Sequence, residues 1–76
     1  MTSLTAMTLQ AEIYRVEAKA ARWEERARAA SVKGPYIRPA KAMRKAALAG
    51  REAINSGEYP LMDFALLALS KYHDED

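Results

Sequence analysis

Six cationic side chains stand in residues 31–51, a stretch that contains no acidic residue. Guanidinium and ammonium groups at this density bind anions, which in proteins are chiefly the phosphates of nucleic acids and the carboxylates of acidic protein surfaces. Tyr36 lies in the same stretch and is flanked by glycine, proline and arginine, so we expect it to anchor a partner. The predicted partner-binding residues are therefore Lys33, Tyr36, Arg38, Lys41, Arg44, Lys45 and Arg51.

These cations could instead be neutralised inside the protein. Residues 32–51 hold six bases and no acid, whereas residues 52–76 hold one base and six acids, so the net charge of +2 conceals a dipolar chain. Pairing with the acidic segment, or simple exposure to water, is the alternative to a partner-binding role. For Tyr36 the alternative is packing over the corner between the first two helices.

No residue pattern predicts catalysis. The chain has no cysteine and a single histidine, His73, so neither a thiolate nor a histidine cluster can form a metal site. No serine has a nucleophile-elbow setting, and no phosphate-binding loop, dinucleotide fingerprint or HExxH sequence occurs. We expect a protein that is not an enzyme, with no cofactor, no metal and no small-molecule substrate.

The composition predicts an all-α protein. Alanine supplies 16 of the 76 residues, and only three glycines and three prolines interrupt the chain. Alanine is the strongest helix former, and β-branched residues are few. Seventy-six residues make one domain with a small core, which without disulfides or a metal gains stability most readily from a second copy of the chain.

The first helix is predicted over about residues 4–31. Apolar residues recur along it at alternating spacings of four and three, which is a heptad seam. A second, milder apolar stripe passes through Met7, Ala11, Tyr14, Ala18 and Ala21 on the opposite face. The seam residues are Leu9, Ile13, Val16, Ala20, Trp23, Ala27 and Ala30.

Proline and glycine divide the rest of the chain. Gly34 and Pro35 end the first helix, and a basic linker is predicted over residues 32–38. The second helix is predicted over about residues 39–56, with Pro39 at its first position and Gly57 after its end. Gly50 lies on the inner stripe of this helix, where a close helix crossing would explain it. The third helix is predicted over about residues 60–72, followed by an acidic tail at 73–76.

The third helix carries more large apolar residues than two alanine-rich neighbours can cover. Leu61, Met62, Phe64, Leu66, Leu67 and Leu69 point in nearly every direction around it. We therefore expect a long N-terminal helix packed on a helical hairpin, in an intertwined or coiled-coil-like homodimer. The helices of the two copies could run parallel or antiparallel to each other. The predicted dimer interface consists of Leu9, Ile13, Val16, Ala20, Trp23, Ala27, Met62, Leu66 and Leu69.

The second and third helices do not form a DNA-reading helix-turn-helix. The recognition helix of that motif must present polar side chains to the bases. Here the second helix of the pair would be PLMDFALLALSKY, which is almost wholly apolar. Any nucleic acid would be held by the lysine- and arginine-rich middle helix through backbone contacts.

These features predict a small protein-binding regulator or inhibitor that docks on an acidic surface of another protein. Small helical proteins without motifs are frequent in phages and mobile elements, so we expect such an origin. One alternative is a nucleic-acid-binding accessory protein that uses the same basic face. Another is a structural or assembly subunit that docks through the heptad seam. No apolar run reaches the roughly 18 residues of a membrane span, and no secretory signal is recognisable, so we expect a cytoplasmic protein without membrane contact.

Overall fold

The computed structural model describes residues 4–72, which form three α-helices and no strand. Helix α1 is Leu4–Ala29, α2 is Gly34–Ser56 and α3 is Tyr59–Leu69. The all-α prediction and the long first helix packed on a helical hairpin are confirmed. His73 and the predicted acidic tail lie outside the described residues.

The heptad seam of α1 forms the core of a single chain. Leu9, Ile13, Val16 and Ala20 are completely buried, and Ala27 is 1% exposed. They pack against a set contributed by the hairpin, namely Met43, Ala47 and Ala53 of α2 and Met62, Ala65 and Leu69 of α3.

This packing places the residues of the predicted dimer interface in or against the core of one chain. Seven of its nine residues are buried within one chain, and Trp23 and Leu66 are half-buried against the same core. The seam therefore faces its own hairpin and is not open to a second chain. The reason is the small size of the facing residues, because alanine and glycine on α2 and α3 let the helices approach closely enough to cover α1. The seam through which a structural or assembly subunit would dock is covered by the same hairpin.

Gly50 is the point where all three helices meet. It is buried on the inner face of α2. A methyl group in place of its hydrogen would lie 2.9 Å from Cγ1 and 3.0 Å from Cδ1 of Ile13, and 3.5 Å from Cδ1 of Leu69. Only glycine leaves room for the Ile13 side chain at this crossing, which agrees with the close approach expected from the sequence.

Helix α2 begins earlier than predicted, so the predicted linker at 32–38 is largely helical. The Lys33 carbonyl accepts hydrogen bonds from the backbone N–H groups of Tyr36, at 3.0 Å, and Ile37, at 2.9 Å. Pro35 falls in the first turn, where its missing N–H is not needed, and Pro39 falls inside the helix. An interior proline removes one hydrogen bond. The first turn packs on α1 through Tyr36, whose ring lies 5.6 Å from that of Trp23, and the connection shortens to residues 30–33.

Helix α3 buries one side and exposes the other. Met62, Ala65 and Leu69 face the core, and the helix ends at Leu69, three residues earlier than predicted. Large apolar side chains on the outer side remain in water: Leu61 is 47% exposed, Phe64 73% and Leu67 66%. One chain thus leaves part of the third helix uncovered, as its composition indicated. None of the helices in residues 4–72 combines the length and the hydropathy that crossing a bilayer requires.

We predict that Gly50→Ala destabilises the protein although alanine is the better helix former. The gain of about 1 kcal/mol in helix propensity is set against overpacking on Ile13, which typically costs about 1–3 kcal/mol. The free energy of unfolding, measured by urea titration followed by circular dichroism, should therefore fall by up to about 2 kcal/mol.

Gly34→Ala is the matched control. Gly34 is also helical, but outside its chain neighbours and the nearby backbone of its own helix, no atom of the described residues lies within 4 Å of the position of the new methyl group. This substitution should stabilise the protein by about 0.4–1 kcal/mol. Equal effects of the two substitutions would contradict the close crossing at Gly50.

Candidate partner-binding surface

Two arginines of the basic stretch are bound to α1. Arg44 holds Glu24 through two hydrogen bonds, Nη2 to Oε1 at 2.8 Å and Nε to Oε2 at 3.2 Å. Arg51 holds Glu17 in the same way, at 2.7 Å and 3.2 Å. Each is a two-point guanidinium–carboxylate pair, which fixes geometry as well as charge. Both arginines were predicted to bind a partner, and the structure gives each an acidic neighbour within the chain.

These ion pairs use acids other than those expected. The alternative to partner binding was pairing with the acidic C-terminal segment, whereas the carboxylates come from α1. The sequence contains the necessary signal. Glu17 and Glu24 are seven residues apart, as are Arg44 and Arg51. In two antiparallel helices a step forward along one matches a step back along the other, so this equal spacing aligns both pairs at once.

The Arg44 pair changes the titration of both groups. Hydrogen bonding from Arg44 lowers the pKa of Glu24, partial burial opposes this change, and the charges of Arg44 and Arg28 add to it. The same hydrogen bond raises the pKa of Arg44. The ion pair therefore joins α1 to α2 at every pH at which Glu24 is ionised.

Lys33 binds the C-terminal end of α1. Its Nζ donates to the carbonyl oxygens of Ala27, Ala30 and Arg28 at 2.9, 3.3 and 3.4 Å. The last carbonyls of a helix lack partners inside the helix, and a cation there also complements the helix dipole. Lys33 was predicted to bind a partner, and its ammonium group is engaged by backbone oxygens.

Tyr36 packs on α1 and is only half exposed. Its ring lies 5.6 Å from the ring of Trp23, centroid to centroid, with the planes tilted by 44°. The guanidinium of Arg26 covers the same indole at 5.2 Å from its centroid. The Trp23 indole N–H is buried, and no atom of residues 4–72 accepts a hydrogen bond from it. This is the corner packing that was the alternative to an exposed anchor.

Three cations remain directed outward: Arg38, Lys41 and Lys45 are exposed on α2. No residue in the described part of the chain forms an ion pair or side-chain hydrogen bond with them. Spacings of three and four place them together on one side of the helix. They form the outer cationic face of α2, and it is smaller than the seven-residue site that the sequence predicted.

A shallow apolar groove lies beside this face, between α2 and α3. Its volume is about 260 Å³. Alanines of both helices form most of its lining, and Leu61 and Phe64 are its large apolar members. Glu52 is the one charged residue that lines it within the described part of the chain. We call this the α2–α3 groove; its residues are Ala49, Glu52, Ala53, Leu61, Phe64, Ala65 and Ala68.

Two residues beside the seam of α1 were not singled out from the sequence. Arg15 binds α1 to the end of α3, because it donates to the Leu69 carbonyl at 3.3 Å and to that of Tyr72, and it pairs with Glu12 at 2.7 Å. Lys19 is only 5% exposed. Each lies one position before a seam residue, Val16 or Ala20, and this flanking position is the signal that could have identified them.

Comparisons with known proteins identify no relative. No protein-family model, no curated protein and no solved structure matches the chain at a significant level. Within residues 4–72, no three histidine or acidic side chains are grouped so that they could hold a metal ion.

We predict that the Glu24–Arg44 pair stabilises the fold only above the pH at which Glu24 titrates. The pKa of Glu24 is lower in the folded protein than its ordinary value of 4.5. The contribution of the pair to the free energy of unfolding is therefore complete above pH 4.5 and is lost as the pH falls through the lower pKa of the folded protein. The Tm of Glu24→Gln should lie below that of the unmodified protein at neutral pH, and the two Tm values should converge as the pH falls below the ordinary Glu24 pKa of 4.5. In a protein that already carries Arg44→Gln, adding Glu24→Gln should no longer alter the pH dependence of the Tm.

We also predict that Lys33 and Lys41 differ in their effect on stability. Lys33→Met removes the donor to three carbonyl oxygens and should lower the free energy of unfolding by about 1 kcal/mol. Lys41→Met, the matched control, removes an outward-facing ammonium group and should change it by about 0.5 kcal/mol or less. Chemical denaturation of both variants makes the comparison. Equal losses would contradict the division of the cations into structural and outward-facing sets.

Proposed function

We propose that the chain is a non-enzymatic, protein-binding regulator or inhibitor that docks on an acidic surface of another protein. The docking residues are Arg38, Lys41 and Lys45, the outer cationic face of α2. We further propose that it acts as a homodimer in the cytoplasm and that it derives from a phage or another mobile element.

The observation that supports this proposal is the division of the cations into two sets. Lys33, Arg44 and Arg51 are engaged by oxygens of α1, whereas no oxygen of residues 4–72 engages the side chains of the outer three. Leaving three like charges side by side on one helix costs a few tenths of a kcal/mol of repulsion for each neighbouring pair. A partner carrying carboxylates removes that repulsion and gains charge-assisted hydrogen bonds.

The size of the cationic face favours a protein over a nucleic acid as the partner. The three outward cations are half of the six bases in residues 31–51, and this smaller number weakens attachment to a phosphate backbone.

We predict that reversing one charge of the outer face abolishes capture of the partner. Arg38→Glu or Lys41→Glu should weaken binding about tenfold or more, because a like charge then faces the acidic surface. The tagged protein is used to capture its partner from a lysate, the partner is identified by mass spectrometry and purified, and the Kd is measured by calorimetry at two salt concentrations.

Lys71→Glu is the matched control, since Lys71 is also an exposed lysine and the change in net charge is the same as in Lys41→Glu. It should bind the partner as the unmodified protein does. Equal losses in Lys41→Glu and Lys71→Glu would show that only net charge matters. A gel shift with short duplex DNA tests the nucleic-acid alternative, and a retarded species lost in Lys41→Glu but not in Lys71→Glu would replace the proposal by that alternative.

A further inference from the structure

We infer that a second copy of this chain covers the α2–α3 groove, and that the two copies pack around a two-fold axis beside Ala49. This inference rests on the homodimer proposed above and assigns the surface that forms it. The surface differs from the one indicated by the heptad seam, because the seam residues are already buried in one chain.

The first argument is the amount of apolar surface left exposed at this place. Leu61, Phe64 and Leu67 are 47%, 73% and 66% exposed, and they occupy neighbouring turns of α3. Contiguous apolar patches on small proteins mark sites of association, whereas single exposed apolar residues need no explanation. Leu61 and Phe64 line the α2–α3 groove and Leu67 lies three residues after Phe64, so the patch has the form of an interface.

The second argument is that this surface contains both a protrusion and a recess. Phe64 stands out from α3, while the groove next to it is lined by small side chains such as Ala49, Ala53 and Ala68. A two-fold interface must be complementary to itself, because the same patch contributes both sides. A phenyl ring beside an alanine-lined groove satisfies this requirement, since each copy can place its ring in the groove of the other.

The third argument is charge complementarity. Lys45 and Glu52 lie on the outer side of α2, four residues before and three residues after Ala49. Seven residues of helix separate them by about 10 Å. If two copies of α2 run antiparallel past each other at Ala49, Lys45 of each copy faces Glu52 of the other. A wholly acidic partner would instead meet Glu52 with a like charge, so this part of the surface suits a second copy better.

The remaining cations are compatible with this arrangement. In the dimer Lys45 faces Glu52 of the other copy, so docking on the acidic partner is left to Arg38 and Lys41, which lie toward the N-terminal end of α2, away from Ala49. The other exposed apolar stripe, on α1, is less suited to self-association. Its largest residue, Tyr14, already accepts a hydrogen bond from Gln10 at 2.8 Å and lies 5.6 Å beneath the guanidinium of Arg51.

The first experiment compares Phe64→Asp with Val32→Asp. Both replace an exposed apolar side chain, 73% and 70% exposed, by a carboxylate, but Val32 lies in the connection between α1 and α2. Sedimentation equilibrium over a range of concentrations gives the dimer Kd. Phe64→Asp should raise it by about 30-fold or more, as expected when a central interface residue is lost, and Val32→Asp should leave it unchanged. Helical circular dichroism should be the same in both variants.

The second experiment exchanges the charges across the two-fold axis. Lys45→Glu alone and Glu52→Lys alone each place like charges opposite one another, and each should raise the dimer Kd about tenfold. The double variant restores opposite charges and should return the Kd to that of the unmodified protein. This rescue does not depend on the folding of the Phe64 variant, and it identifies the antiparallel arrangement specifically.

The possible outcomes separate this inference from the proposals on which it rests. A chain that is monomeric at several hundred micromolar overturns the inference and the homodimer together. A dimer that neither Phe64→Asp nor Glu52→Lys weakens overturns the groove assignment but keeps the homodimer. Loss of partner capture in Lys41→Glu with an unchanged dimer Kd leaves the inference intact and tests the docking proposal alone.

Discussion

The contact between Ile13 and Gly50 determines how closely α1 and α2 approach each other, and much of the structure depends on that distance. At this crossing a buried isoleucine side chain occupies the space that a β-carbon on α2 would need, and Leu69 of α3 closes the third side. Because the two long helices lie this close, carboxylates on the flank of α1 reach guanidinium groups on the flank of α2. Core packing and the pattern of surface charge therefore follow from one steric condition.

That condition also decides which cations are left for other roles. The ion pairs at Glu17 and Glu24 lie along the line where α1 meets α2. A cation on that line is engaged, whereas a cation turned about a quarter of a circle away around α2 faces water. The stretch that looks uniformly basic in the sequence is thus divided by helix geometry, and only the outward set can contribute to binding without breaking an internal contact.

Much of the fold could be predicted from the sequence, because apolar periodicity and turn residues report directly on helices. The number of helices, the seam of α1 and the close crossing at Gly50 were all visible. The start of α2 was misplaced, because Gly34, Pro35 and Pro39 each carry a start or stop signal and tertiary packing chose among them. Periodicity also shows that a face is buried without showing which chain buries it. For that reason the seam was assigned to a second copy, and the roles of Lys33 and Tyr36 became visible only once the helix pairing was known.

The position of the outward cations along α2 has a mechanical consequence for any two-fold assembly centred on Ala49. Arg38 lies about 11 residues, or roughly 16 Å of helix, from that centre, so the two copies would hold their docking ends about 30 Å apart and pointing in opposite directions. Such a dimer would bridge two acidic sites. It would bind a target that has two sites at this separation far more tightly than a target with a single site, because the second contact then forms within the same complex.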